Sequence, residues 1–216
     1  MKRAMKKSLL IILSLMMLSL MSMSTYAAKL SAKNAVVGVG ATTTLKVKGT
    51  KKKVKWSSSN KKIATVNKKG VVKGKKIGKA RITAKVGKKK YICNVTVKEN
   101  AVYFTPNLKN VSGDGISTIP VKIYYKNKKL VMRSVVVNCT NRYVTRIFNY
   151  YWKLYLGTSP RDKKLVAAAY DQQMSIGLRS RTYGEDYEVS LIPTEKGVLN
   201  LAAMHGYQVI EGGDFY

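Results

Sequence analysis

The chain has 216 residues, with 41 Lys plus Arg, 10 Asp plus Glu, a single His and two Cys, for a formal net charge of +31. That length gives room for two small domains or one large sandwich. One histidine and two cysteines far apart in sequence exclude the cluster spacing that a zinc site needs, and no cofactor-binding or catalytic signature is present.

The chain opens with Lys2, Arg3, Lys6 and Lys7, continues as an apolar run over Leu9–Met23 and reaches Thr25-Tyr26-Ala27, with small residues at the two positions signal peptidase reads. This predicts a signal peptide over residues 1–28, removed after Ala27 or Ala28. The 15-residue apolar run falls short of the ~20 residues a bilayer span needs, so no integral membrane span is expected in the mature chain. No cysteine follows for lipid anchoring, and Glu211–Tyr216 carries two acids but neither an apolar tail nor an LPxTG-type sorting signal. The expected location is extracellular, either secreted or retained non-covalently at the cell surface.

Between Lys29 and Lys98 there are 22 Lys plus Arg and no acid, whereas the 118 residues 99–216 hold 15 basic and 10 acidic groups. Such an asymmetry marks an anionic partner or two units with separate histories. Glu99-Asn100 ends the lysine-rich regime, which predicts a first domain over 29–98 and a second over 99–216.

In the first unit Val54 and Trp56 alternate with Lys55, Ser57–Asn60 interrupts, and Ile63–Val66 resumes the apolar pattern, which reads as strand, turn and strand. Asn67–Gly70 supplies the next reversal, with Gly70 able to take positive φ, and Val71 and Val72 start another strand. Further on, Ala80, Ile82, Ala84 and Val86, then Tyr91, Cys93, Val95 and Val97, alternate with polar residues, so one face is apolar and the other wet. The prediction is a small antiparallel sandwich with Trp56 in its core beside Val54.

These residues carry a resemblance. Gly40 with Leu45, then Val54, Trp56, Ser57, Ser58 and Asn60, then Ala64-Thr65-Val66, Gly70-Val71, Gly78-Lys79-Ala80 with Ile82, and Cys93 with Val95 and Val97 closely resemble the bacterial immunoglobulin-like domain of group 2 (Big2), the intimin and invasin type. The resemblance implies a β-sandwich used as a spacer or adhesive module on bacterial surfaces, and it implies no catalytic residues.

Lys51, Lys52, Lys53, Lys61, Lys62, Lys68, Lys69, Lys75, Lys76, Lys88, Lys89 and Lys90 all fall in or beside predicted turns. Successive turns of a meander lie at alternate ends, so the positive field is expected to surround the domain. Only Arg81 among the 22 basic residues is arginine. Lysine is a hydrated point charge without the planar fork that reads phosphate or guanine, so the composition suits diffuse attraction to polyanions. The twelve lysines are candidate polyanion-binding residues, with teichoic acid or another anionic cell-wall polymer as the expected partner. A merely solubilising surface is the competing reading, and nucleic acid is disfavoured.

The second unit is aromatic-rich. Pro106, Gly113, Gly115 and Pro120 predict an irregular stretch over Asn107–Thr118, followed by strands at Val121–Tyr125, Leu130–Cys139, Val144–Leu156, Leu165–Tyr170, Met174–Arg179, Tyr187–Ile192 and Val198–Val209, the last interrupted near Gly206. Seven strands suit a second sandwich. Val135–Gly157 loosely resembles bacterial sandwich strand pairs separated by a polar Asn-x-Thr turn. On the longest strand, Phe148, Tyr150, Trp152, Leu154 and Leu156 are expected to share the core face. Tyr151, Lys153 and Tyr155 then line the other and form a candidate platform for a glycan or a protein.

Candidate chemistry is sparse here. His205 reads as structural, and a Cys139–His205 dyad is disfavoured by its sequence order. Glu185, Asp186 and Glu188 sit too close together for the controlled separation of a glycosidase pair and read as a solvated loop. Cys93 and Cys139 are expected to be reduced and buried in separate cores. The expected protein is all-β, with two consecutive Ig-like β-sandwich domains after a cleaved signal peptide, and it acts as an adhesin-like binding or spacing protein. The alternative is a C-terminal carbohydrate-active enzyme tethered to the wall by the first domain.

Overall fold

The computed structural model of the chain describes residues 27–105, 115–156, 164–179, 182–204 and 207–215. All but the last two residues of the expected signal peptide lie outside the described residues, as do His205 and most of the Asn107–Thr118 stretch. Among the described residues no helix is long and apolar enough to cross a membrane.

Short alternating segments separated by glycine and lysine turns form β1 (Lys29–Leu30), β2 (Asn34–Gly38), β3 (Thr42–Thr44), β4 (Val47–Lys48) and β5 (Val54–Ser58). They continue as β6 (Ala64–Val66), β7 (Val71–Gly74), β8 (Gly78–Val86) and β9 (Lys89–Lys98). One sheet has the order β2-β9-β8-β5, a second has β3-β7-β6, and β1 pairs with β4. β2 runs parallel to β9 and the other pairs are antiparallel. The period-two alternation of β8 and β9 turns Ile82, Ala84, Cys93, Val95 and Val97 inward, where they meet Val37, Leu45, Ala64 and Val72. Gly70 has φ +78°, and a Cβ there would lie 2.3 Å from the Leu45 carbonyl oxygen and 2.8 Å from the Trp56 ring, so this reversal requires glycine.

The second unit has β10 (Ala101–Tyr103), β11 (Ile116–Lys126), β12 (Lys129–Asn138), β13 (Val144–Leu156), β14 (Lys164–Leu178) and β15 (Thr182–Pro193). A 3-10 turn at Leu201–Ala203 precedes β16 (Tyr207–Phe215). The order is β10-β11-β12-β15-β14-β13-β16. β14 and β15 pair only at Ala167↔Pro193 and Ala168↔Ile192, and elsewhere β14 follows β13 while β15 follows β12. The sheet therefore folds over into two layers. Trp152 on β13 donates its indole N–H to Thr118 Oγ1 on β11 at 2.8 Å, across four strand positions. Ile123, Leu130 and Met132 from one layer pack on Ile147, Tyr150, Trp152 and Leu154 from the other.

Several local expectations are corrected. Asn149 has φ 51° and sits in a bulge where the register of β13 shifts against both neighbours. One extra residue flips the alternation, so Ile147 takes the core position expected of Phe148, which is only half-buried. Leu165–Tyr170 and Met174–Arg179 are one strand, because the polar Asp171–Gln173 stretch stays in the ladder opposite Tyr150. Ile116–Thr118 is strand, paired with Val136–Asn138. Of the expected Val198–Val209 strand, the part before the interruption holds the 3-10 turn instead, and strand begins only at Tyr207 with β16. Both thiols are free, but Cys139 is half-buried just beyond β12 instead of lying in a core. Cys93 is fully buried, and desolvation pushes its thiol pKa up.

The two units touch where the segment before the 3-10 turn meets the outer edge of β2. Asn200 accepts from the Gly38 N–H at 2.8 Å and donates to the Val36 carbonyl at 3.1 Å, while Asn100 donates to the Leu199 carbonyl at 2.8 Å.

Candidate functional site

The turn chemistry that closes the first sandwich also places its charge. Lys51–Lys53 precede β5, Lys61 and Lys62 occupy the β5–β6 turn, Lys68 and Lys69 the β6–β7 turn, Lys75 and Lys76 the β7–β8 connection, and Lys88–Lys90 the β8–β9 reversal and the start of β9. All 22 basic side chains of residues 29–98 are exposed. With no acid in the segment, none is neutralised locally, and among the described residues no ion pair reaches into it.

The structure gathers some of these lysines and not others. Lys53, Lys68 and Lys69 converge with Lys46 and Lys55 around a groove of about 820 Å³ walled by Val47, Val54 and Trp56. Lys46, in the connection just before β4, and Lys55, on β5, are residues that turn-based reasoning passed over; the signal for them was their position flanking the inward-pointing Val47, Val54 and Trp56. Trp56 packs against the core but is only partly buried, which leaves part of its ring in the groove wall and corrects its expected place in the core. Lys51, Lys52, Lys61, Lys62, Lys75, Lys76 and Lys88–Lys90 do not line that groove.

In the second unit the four acids whose side chains are described are all paired. Lys122 pairs with Glu99 at 2.7 Å, Glu188 binds Lys126 and the Tyr124 hydroxyl, Arg133 lies 3.6 Å from Asp186, and Lys164 pairs with Glu195. These partners hold the Glu99, Glu188 and Glu195 carboxyls below the usual carboxylate range, chiefly through hydrogen bonds from the lysines. Glu188 and Asp186 thus belong to a cross-strand ladder between β11, β12 and β15, not to the loop expected of them. A general acid needs a carboxyl whose pKa is raised, and Glu188 is shifted the other way. Among the described residues no three His, Cys, Asp or Glu side chains converge as metal ligands would.

Tyr151, Lys153 and Tyr155 lie together on the outer face of β13, all half-buried. The ammonium of Lys153 sits 4.9 Å from the Tyr151 ring centre and 5.6 Å from that of Tyr170 on β14. Tyr170, 48% exposed, was missed in the sequence because its role depends on β14 becoming the neighbour of β13. Ala168 faces Lys153 across the ladder and is itself paired with Ile192, which is 72% exposed. The result is an aromatic and aliphatic patch around one cation.

The match of a family model agrees with this architecture for the first unit. Residues 26–95 match the family model described as "Bacterial Ig-like domain (group 2)". Among solved structures, the chain is similar to the crystal structure of a bacterial Ig-like domain containing GH10 xylanase from termite gut, at 19% identity and a TM-score of 0.29. That similarity covers 38% of this chain and 21% of the xylanase chain. No curated protein matches the chain.

Proposed function

We propose that this chain is a non-catalytic binding and spacing protein of the bacterial exterior. Its first domain is drawn to anionic cell-wall polymer, and its second presents the Tyr151–Lys153–Tyr155 face to a glycan or a protein. The observation that carries the reading is a folded Ig-like sandwich with 22 exposed basic side chains and no acid of its own. Bacterial Ig-like domains of this group suit surface or accessory roles, and the ion-paired acids of the second domain suit binding better than acid–base chemistry. Exposed charge attraction fades as the Debye length shrinks from about 10 Å at 0.1 M salt to about 3 Å at 1 M.

The test is co-sedimentation of residues 29–216 with Gram-positive sacculi before and after removal of teichoic acid, across a salt series. Pelleting that is lost with salt or with teichoic acid supports the reading. Equal pelleting on stripped sacculi, insensitive to salt, makes the lysines merely solubilising and overturns the part assigned to the first domain. Wall degradation that depends on Glu185 or Asp186 would make the protein an enzyme and overturn the whole.

A further inference from the structure

We infer that the groove at Trp56 is a defined seat for a linear phosphodiester polymer, a chain of short polyol or sugar units joined by phosphates. This rests on the reading that the first domain is drawn to anionic wall polymer, and it names where that polymer is held. The groove joins two features that diffuse attraction does not need. Its lining combines the apolar Val47, Val54 and Trp56 with five lysines, Lys46, Lys53, Lys55, Lys68 and Lys69. All five lysines are exposed, and among the described residues none has an ion-pair partner.

The chemistry of the lining selects the occupant. Lys53 and Lys55 stand two residues apart on extended chain, about 7 Å, a spacing that one phosphodiester repeat with a short carbon linker matches. Phosphate oxygens meet ammonium point charges on both walls, and the C–H faces of the linkers lie on the indole. A single-stranded nucleic acid would ask for successive aromatic platforms, and Trp56 is the one aromatic residue in the lining. An acidic peptide would bring backbone N–H groups into a groove whose one neutral polar side chain, Asn67, already accepts from the Lys69 and Val71 N–H groups, and each buried, unpaired donor counts against it. A second copy of this chain is repelled by its own charge.

The experiment uses residues 29–216 and a synthetic glycerol-phosphate oligomer, with oligoglutamate of equal charge as the comparison anion. Trp56 alone is open to a neutral quencher, because Trp152 is 0% exposed, so acrylamide quenching reports the groove directly. The expected results are protection of Trp56 by the oligomer and an affinity loss of at least tenfold in the triple variant Lys53→Gln, Lys55→Gln, Lys69→Gln. The equally neutralised triple Lys61→Gln, Lys76→Gln, Lys79→Gln, none of them lining the groove, is expected to lose no more than about twofold, through the long-range field alone. Neither triple alters the core, so folding does not confound the comparison.

Equal losses in the two triples, or binding without protection of Trp56, would overturn the groove while leaving the wall-polymer reading intact. Oligoglutamate binding as tightly, with the same protection, overturns the phosphodiester assignment. Failure of the unaltered protein to bind either the oligomer or teichoic acid-bearing sacculi overturns both readings together.

Discussion

Asn200 holds the backbone of Gly38: its side-chain oxygen accepts the Gly38 N–H at 2.8 Å while its nitrogen donates to the Val36 carbonyl at 3.1 Å. An amide side chain thus imitates a strand on the outer edge of β2, whose other edge is taken by β9. Asn200 also occupies the position before the 3-10 turn, where such a residue ordinarily caps, and it makes no side-chain cap there. The capping contribution is given up for a contact between the two units.

Asn200→Leu keeps the bulk and removes both bonds. Each backbone group left unpaired costs about 1–3 kcal/mol while it stays covered, so either the contact opens or both units lose stability. The expected outcome is a calorimetric trace in which the unfolding of the two units separates, with the component followed by Trp152 moving to lower temperature. Transitions that keep the wild-type midpoint and shape would show that this contact does not couple the units.

A second polar device closes the corner between β12 and β13. Asn138 is fully buried, and its amide nitrogen donates to the carbonyls of Arg142, Leu178 and Arg179 at 2.8, 3.1 and 3.0 Å while its oxygen accepts from the N–H and the hydroxyl of Thr140. Two amide protons are shared over three carbonyls, so no other side chain of this size substitutes. Asn138→Asp retains the acceptor and faces the carbonyls with a second oxygen. It is expected to destabilise the second unit by about 3 kcal/mol or more, in the range of a broken buried network. Urea titration followed at Trp152 measures it, and a midpoint within error of wild type would refute the role assigned to this corner.

The strands of the first unit were legible because β8 and β9 are half-buried and never leave period two, from Ala80 to Val86 and from Tyr91 to Lys98. β13 was legible as a strand but not in its facing, since a single left-handed residue, Asn149, resets which side chains turn inward and no alternation count contains a bulge. β14 read as two strands because Asp171–Gln173 looks like a turn until β13 is there to pair with it. The uncompensated lysines needed only composition. The groove around Trp56 and the place of Tyr170 beside Lys153 needed to know which strands become neighbours, and that information is spread over the whole chain.

The two units should respond oppositely to solution conditions. In the second, Glu99, Glu188 and Glu195 have folded-state pKa values below their ordinary ones. Their contribution is therefore complete above the ordinary carboxylate pKa, near 4.3, and is lost as pH falls through the lower folded values. All three carboxylates are substantially exposed, so the slope is shallow. Glu188→Gln is expected to flatten it further. The first unit has no acid and 22 like charges, so its melting temperature is expected to ignore this pH window and to rise with salt as self-repulsion is screened. Melting curves read separately at Trp56 and Trp152 decide it; a salt-induced loss of stability in the first unit would contradict the unpaired arrangement of its lysines.

Salt also separates the two proposed binding faces. At 1 M salt the lysine field is confined to about 3 Å, whereas stacking on an aromatic ring depends little on ionic strength. Any pelleting of residues 29–216 with sacculi stripped of anionic polymer at 1 M salt should then depend on Tyr151 and Tyr170, the two rings around the Lys153 ammonium. An exposed cation–π contact is worth about 0.5–1 kcal/mol, so Tyr170→Ala, at a 48% exposed site, is expected to leave the second unit folded with a loss of no more than about that size. The same substitution should reduce the salt-resistant binding severalfold. If binding at 1 M salt is unchanged in both Tyr151→Ala and Tyr170→Ala, the face around Lys153 is not the contact surface, and the exposed Ile192 at its margin becomes the next residue to vary.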